Sequence, residues 1–411
     1  MNTTLLGLIS LGSLAGIGGS YVQDGAAKEA SSAEDFQWSQ WNGPQFDGVS
    51  TESEWKSEGK PLWETEVGLG YSTVSVVDGR AVTMGYDKEL GLDVVFCFDA
   101  LTGEELWSHA YPSKIWDLAH EGGTVNTPSF DDDLVLSLNR EGNLFALDVE
   151  SGEIIWHNEL KPEENPHKLE YPRWGFSASP MVLDDGVYLN CGRLLSIDRD
   201  SGEVLWASED FGHGYGTPLA LEVDGVPALA VQNNDRFGVV DRRTGKTLAS
   251  LPFGGKNRGI NASTPVMMDA GVFIASGTLP GCAMLKLGEK EPETLWQNRS
   301  MVTSFSGCVA MDDYLYGFDG AVLTCIDSAG ESSWSERGIG NGAVSGAGDR
   351  LLVMGGTGEL IVIKASSEGF EELSRVELFE EGKFWTKPVL VNGIVYCRSS
   401  RGTLMARDHR E

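Results

Sequence analysis

The chain has 411 residues, with 31 Lys and Arg against 61 Asp and Glu, for a net charge of −30. So acidic a balance argues against nucleic acid, whose phosphates call for a basic surface, and against docking on anionic lipid. Hydrophobic residues at 41% exclude a disordered chain, and 52 glycines against 15 prolines point to many short strands joined by tight turns, in two or three domains or one large all-β unit.

At the N-terminus, residues 5–19 (LLGLISLGSLAGIGG) form an apolar run with the length of a signal-peptide core rather than of a bilayer span. Residues 1–20 are therefore expected to be a signal peptide, with an uncleaved apolar anchor as the alternative, although the run has no Lys or Arg before it and no A-x-A site after it. No cysteine precedes Cys97, so there is no lipobox, and no second stretch is long enough to cross a membrane. Export to the periplasm or outside the cell follows as the expectation. Residues 21–60, including WSQWNGPQFDGVS (38–50), are expected to be a leader or linker. The six cysteines form no C-x-x-C or adjacent pair, and most lie in apolar runs such as VVFCFDA, where a buried thiol is expected; disulfides stay open for an exported chain.

From residue 61 onward the chain repeats itself. FDALTGEELW (98–107) recurs as LDVESGEIIW (147–156) and IDRDSGEVLW (197–206), with weaker copies ending at Ala249, Trp296, Trp334 and Ser374. Before each copy lies an apolar strand, a D-D or D-G turn, a second strand, a glycine loop and a third strand, as in SPMVLDDGVYLNCGRLLSI (179–197). Four antiparallel strands per unit are the pattern of a propeller blade. The segment 387–408 supplies three strands and stops, and PLWETEV (61–67) brings the missing fourth, with Trp63 in register. Between Trp63 and Ser374, 311 residues cover seven intervals of about 44 residues. The expectation is an all-β, eight-bladed β-propeller over residues 61–411, closed by an N-terminal strand that completes the last blade and expected to act as a monomer.

The unit D-x-x-T/S-G-E-x-x-W resembles the pyrroloquinoline-quinone-type propeller repeat over residues 61–408, and 38–50 resembles the W-x-x-W-R-G-P-x-x-x-G-x-S leader of exported propellers of this type. Two groups share that repeat: quinoprotein dehydrogenases, and BamB-like scaffolds without catalytic activity that serve outer-membrane protein assembly. The dehydrogenase resemblance implies an adjacent Cys–Cys pair, a calcium site of Glu, Asn and Asp, and an Asp base; this chain has no such pair, and no such constellation can be placed on it. The BamB-like group fits the length, but its members are typically lipoproteins.

Most residue clusters read as structure. Trp63, Trp107, Trp156, Trp206, Trp296 and Trp334 follow the Gly-Glu turn at a fixed position and are expected to pack between blades. Asp131 to Asp133, Asp184–Asp185 and Asp312–Asp313 fall at hairpin turns, and the six histidines show no metal-ligand spacing. A different signal lies in the loops that lead from one blade to the next and in those joining second to third strands, which share one face of a propeller. They carry Trp116, His120, Arg173, Trp174, His213, Tyr215, Arg258 and Trp385, with Arg140, Arg193, Arg236 and Arg401 from the second set. Arginine with aromatics on one face suits an anionic or planar small molecule, or a protein or peptide segment; the competing reading is local pairing with the many carboxylates. The expected function is a non-catalytic binding or scaffold module with no cofactor, the alternative being a quinoprotein oxidoreductase using pyrroloquinoline quinone and calcium.

Overall fold

The computed structural model describes residues 36–410 apart from 119, 162–165, 255–260, 278, 289–290, 304 and 306. Eight four-stranded antiparallel sheets follow one another along the chain and form the blades of a propeller. Blade 1 consists of Ser75–Val77, Arg80–Asp87, Leu92–Asp99 and Glu105–Pro112, and blades 2 to 7 repeat that plan up to Glu372–Glu377. Blade 8 takes Val389–Val391, Ile394–Arg398 and Thr403–Asp408 from the C-terminus and Lys60–Glu66 from the N-terminal side, paired from Lys60 with Asp408 to Glu66 with Thr403. The closing strand expected from Trp63 is therefore present, one residue earlier than the sequence placed it.

First strands line the inner wall: the Ser75, Ser129 and Ser345 hydroxyls donate to the carbonyls of Pro128, Pro180 and Pro388 in the next blade, at 2.6 to 2.7 Å. Second and third strands are covered on both faces by neighbouring blades, which is why they read as unbroken apolar runs such as the fully buried Leu134–Leu138. Outer strands are only half covered and alternate. The core is divided accordingly into eight apolar clusters, one at each junction between blades, including the junction of blade 8 with blade 1.

The repeat motif is a device for joining blades. Asp148 accepts hydrogen bonds from the amide and hydroxyl of Ser151, each at 2.8 Å, which shapes the turn into the outer strand and holds the carboxyl below its ordinary range. In all eight blades the outer strand then slips by one residue, as between Ile154 and Trp156. This bulge pushes Leu106, Ile155, Leu205, Leu295 and Leu373 outward into solvent and swings the following residue toward the next blade. The Trp156 indole donates to the Arg199 carbonyl at 2.7 Å and lies on Gly202, whose φ of +72° no side chain would favour and whose Cβ would sit 2.5 Å from the ring. Trp63, Trp107, Trp206 and Trp296 meet Gly103, Gly152, Gly245 and Gly330 in the same way. Trp334 donates to the Ser366 carbonyl. Tryptophan and glycine recur together because in these five joints the ring packs on the next blade's glycine; at Trp334 the contact is missing, since a Cβ on Gly369 would meet nothing within 4 Å.

Residues 36–60, read from sequence as leader or linker, insert into the ring. Trp38 exchanges backbone hydrogen bonds with Val76 of blade 1, the Ser39 carbonyl accepts from Phe130 of blade 2, and the Gln40 side chain bonds Val182 of blade 3. The Trp41 indole donates to Thr264 Oγ1 beside blade 5 at 3.2 Å, and Val49–Ser50 pair in parallel with Gly346 and Ala347 of blade 7. Gln37 bonds Asp78 in the turn after the first strand of blade 1, and the Ser50 carbonyl accepts from Gly348 in the matching turn of blade 7. Both ends of the segment thus lie away from the inter-blade loops, and its middle rises into the channel as a plug. A turn at Asn42–Gly43 makes the reversal, and the buried Lys387 ammonium donates to Asn42 Oδ1 at 2.9 Å to hold it. All six cysteines are buried and unpaired, and burial pushes the thiols of Cys97, Cys191, Cys308 and Cys397 up to about 12.

Candidate functional site

A cavity of about 230 Å³ opens where the inter-blade loops meet above the plug. Its lining comes from the loops entering blades 1, 2, 3, 4, 5, 6 and 8, together with Arg140 from blade 2 and Trp41 from the plug. With Trp41 as floor, the channel becomes a cup closed at one end.

Two aromatic groups face the space. On one side Trp385 stacks between Tyr71, at 5.3 Å and 19°, and Phe305, at 4.5 Å and 20°, with His120 edge-on to Tyr71 at 5.1 Å. On the other, Trp174 and Tyr215 meet edge-to-face at 5.7 Å. The stack is anchored from behind. Tyr71 donates to Glu121 at 2.7 Å, and the Lys383 ammonium reaches the same oxygen at 3.1 Å while lying 5.2 Å over the Trp385 ring. Burial opposes ionisation of Glu121, but Tyr71, the residue's own backbone amide and Lys383 together outweigh it and hold its carboxyl down at about 2. Burial, and then that carboxylate, push the Tyr71 phenol well up.

Among the described residues, Arg140 is the charged one in the lining. It is 4% exposed, and its Nε and Nη1 donate to the carbonyls of Gly123 at 2.7 Å and Trp174 at 2.9 Å. Its Nη2 is buried and has no hydrogen-bond partner among the described residues. Burial lowers its pKa to about 10, so it stays cationic at neutral pH. His120 differs: burial, then the charges of Arg140 and Lys383, push it down to about 4, leaving it neutral. Its Nδ1 accepts from the Gly122 amide at 3.1 Å, which puts the proton on Nε2. Beneath Trp41, Lys387 is 2% exposed and lies 5.5 Å from the indole centroid; burial lowers its pKa to about 8, with Asp47 among the groups favouring its charge. The cup is an aromatic chamber with one buried cation in its wall and another below its floor.

Of the residues singled out from sequence, His120, Arg140, Trp174, Tyr215 and Trp385 line this cavity. Trp116 stands outside it against Tyr171, at 6.5 Å, and the exposed Arg173 lies 5.0 Å over the Trp174 ring. Arg193 donates to the Ser208 carbonyl at 2.8 Å, and the exposed Arg236 to Ser250 Oγ at 2.8 Å, so both are engaged locally. His213 is half-buried, Arg401 is exposed, and neither lines the cavity. Arg258 lies outside the described residues. Arg398, on the same loop set, is fully buried and holds the ring closure through the carbonyls of Ser72, Met84 and Gly68. Sequence reasoning passed over Tyr71, Phe305 and Trp41. The first two sit in inter-blade loops that the same rule would have covered; Trp41 precedes the repeat and has no periodic signal.

A calcium-bound quinone needs several converging oxygen donors, charged ones among them. The described lining offers the hydroxyls of Ser177, Ser179 and Thr217 around a guanidinium, and no Asp or Glu. That donor set does not fit calcium, and no step is derived through such a group.

The model of the protein family described as outer membrane protein assembly factor BamB matches residues 91–336. No curated protein sequence matches the chain significantly. Among solved structures, BamB from Moraxella catarrhalis superposes with a TM-score of 0.62 at 16% identity, over 85% of this chain and 98% of that one. Quinohemoprotein alcohol dehydrogenase from Comamonas testosteroni gives 0.66 at 12%, over 91% and 80%. The computationally designed Ika8 protein gives 0.59 at 15%, over 85% and 99%. At these identities the likeness is one of fold.

Proposed function

This chain belongs to the BamB family of β-propellers, and on that premise we propose that it is an exported binding or scaffold module without catalytic activity, working through the inter-blade loop face. The observation that carries the reading is the cup itself: five aromatic side chains from separate blades, Arg140 in the wall, and no carboxylate in the described lining. In a chain with net charge −30, an isolated buried cation among aromatic rings suits a partner that brings an anionic or planar group. The proposed partners are a protein or peptide segment, or an anionic small molecule, and neither nucleic acid nor a cofactor has a part in this reading. Among the described residues, no nucleophile is paired with His120 or Tyr71 in a way that would favour bond chemistry.

The test compares capture from a cell-envelope extract by immobilised protein, unaltered or with the cup residues Trp174 and Phe305 replaced by Ala. The double variant should stay folded and lose its partners, whereas Glu150→Ala, in the exposed turn of blade 2 away from the loop face, should leave capture unchanged. Equal capture by all three proteins would overturn the reading.

A further inference from the structure

We propose that the plug is tied to the ring by a covalent bond, an amide between the side chains of Lys387 and Asn42, which forms within the folded chain with loss of ammonia. The bond lies below the floor of the cup and stands apart from the binding-face reading. Three observations converge on it.

Position comes first. Lys387 is 2% exposed and Asn42 4%, and the Lys387 nitrogen stands 2.9 Å from Asn42 Oδ1. The Cγ carbon open to attack is bonded to that oxygen. Asn42 is held in the left-handed region, at a φ of +62°, and its carbonyl accepts from the Gly48 amide at 3.0 Å, which fixes the backbone that carries the side chain. Holding an amine beside an amide carbon turns a slow bimolecular exchange into an intramolecular one, where such reactions gain most.

Enclosure is the second. Gly48 closes over the pair: a Cβ there would sit 3.0 Å from Val309, 3.2 Å from Lys387 Nζ and 3.4 Å from Asn42 Oδ1. The Trp41 indole covers the ammonium, with its centroid at 5.5 Å. Burial brings the pKa of Lys387 down to about 8, against the pull of Cys308 and Asp47, so part of the side chain is free amine at neutral pH and more of it in mild alkali. A desolvated lysine of this kind is a nucleophile.

A proton carrier is the third. Asp47 precedes Gly48, its charge acts on Lys387, and burial pushes its carboxyl above the ordinary range. Its Oδ1 accepts from the Val49 amide at 2.9 Å, which steadies it. In the step, Nζ bonds to Cγ, Asp47 takes a proton from that nitrogen and gives one to Nδ2, and the Cγ–Nδ2 bond breaks. The products are a secondary amide and ammonia, with nothing oxidised or reduced. Residues 345 apart are then joined, and a cross-link over so long a loop restricts the unfolded chain as a disulfide would. All six cysteines of this chain are unpaired.

The test is denaturing mass spectrometry with peptide mapping of the chain as purified, unaltered and as Lys387→Met and Asp47→Asn. The unaltered protein should be lighter by one ammonia than its sequence requires and should yield a branched peptide joining the segments that carry Asn42 and Lys387. Lys387→Met should show the full mass and linear peptides, and the linked fraction should fall at least about tenfold in Asp47→Asn. Linear peptides alone from the unaltered protein would overturn the bond, whether or not the variants fold. A branched peptide joining Lys387 to Asp47, with loss of water, would overturn Asn42 as the acceptor. An undiminished linked fraction in Asp47→Asn would overturn the part given to Asp47.

Discussion

The joint between blades 2 and 3 allows the repeat motif to be tested as a pair. Trp156 is 8% exposed, and its ring lies on Gly202, at a φ of +72°, so close that a Cβ on that glycine would sit 2.5 Å from the ring. Replacing Gly202 by Ala imposes a left-handed cost of about 1–2 kcal/mol and an overlap that displaces the ring, costing about 1–3 kcal/mol. Trp156→Ala alone removes a buried ring and its hydrogen bond to the Arg199 carbonyl, for about 3–5 kcal/mol. In the double variant the overlap disappears and only the backbone cost of the alanine remains, so the pair should be less destabilising than the sum by about 1–3 kcal/mol. Urea denaturation followed by far-UV circular dichroism on the four proteins measures this, provided tryptophan fluorescence gives coincident transitions. Additive losses would refute the interlock and reduce the glycine to a turn residue.

Removing residues 60–66 should lower the urea midpoint steeply, because it uncovers the third strand of blade 8 and takes away Trp63, which donates to the Ala100 carbonyl across the ring closure; an unchanged midpoint would contradict closure. Arg398→Ala should cost at least about 3 kcal/mol, since three buried carbonyls lose a charged donor, while the exposed Arg236→Ala should stay within about 0.5 kcal/mol in the same urea experiment. His120 titrates near 4 when folded and at its ordinary 6.5 when unfolded. The unfolded chain therefore binds a proton that the folded one does not, and stability falls as pH drops from 6.5 to 4 and levels off below. Discounted for partial exposure, the loss is on the order of 1–2 kcal/mol. The difference between unaltered protein and His120→Gln in pH-dependent melting should show it, and parallel curves would refute it.

Blade architecture was legible because it is local and periodic: the Asp-turn, the glycine and the tryptophan recur within each unit, and Trp63 in register betrayed the closure. The face of the cup was legible for the same reason, since strand order fixes which loops meet, and five of the twelve residues named on it line the cavity. What escaped was long-range. The plug is held by partners hundreds of residues away, such as Asn42 to Lys387, and no pattern in residues 38–50 announces them. Arg193 and Arg236 could not be told from Arg140 by sequence, since all three follow a second strand and only the surrounding loops decide which side chain is buried. Arg398 escaped for that reason too: its position marked a loop, and its burial depends on the carbonyls of blade 1.

The central claim, a binding cup rather than a quinone-dependent catalytic site, is tested most directly by calorimetric titration of the protein lacking residues 1–20 with pyrroloquinoline quinone, with and without calcium. The account predicts no calcium-dependent one-to-one binding, because no carboxylate stands in the described lining of the cavity. Tight binding that requires calcium would contradict it and make this propeller a quinoprotein.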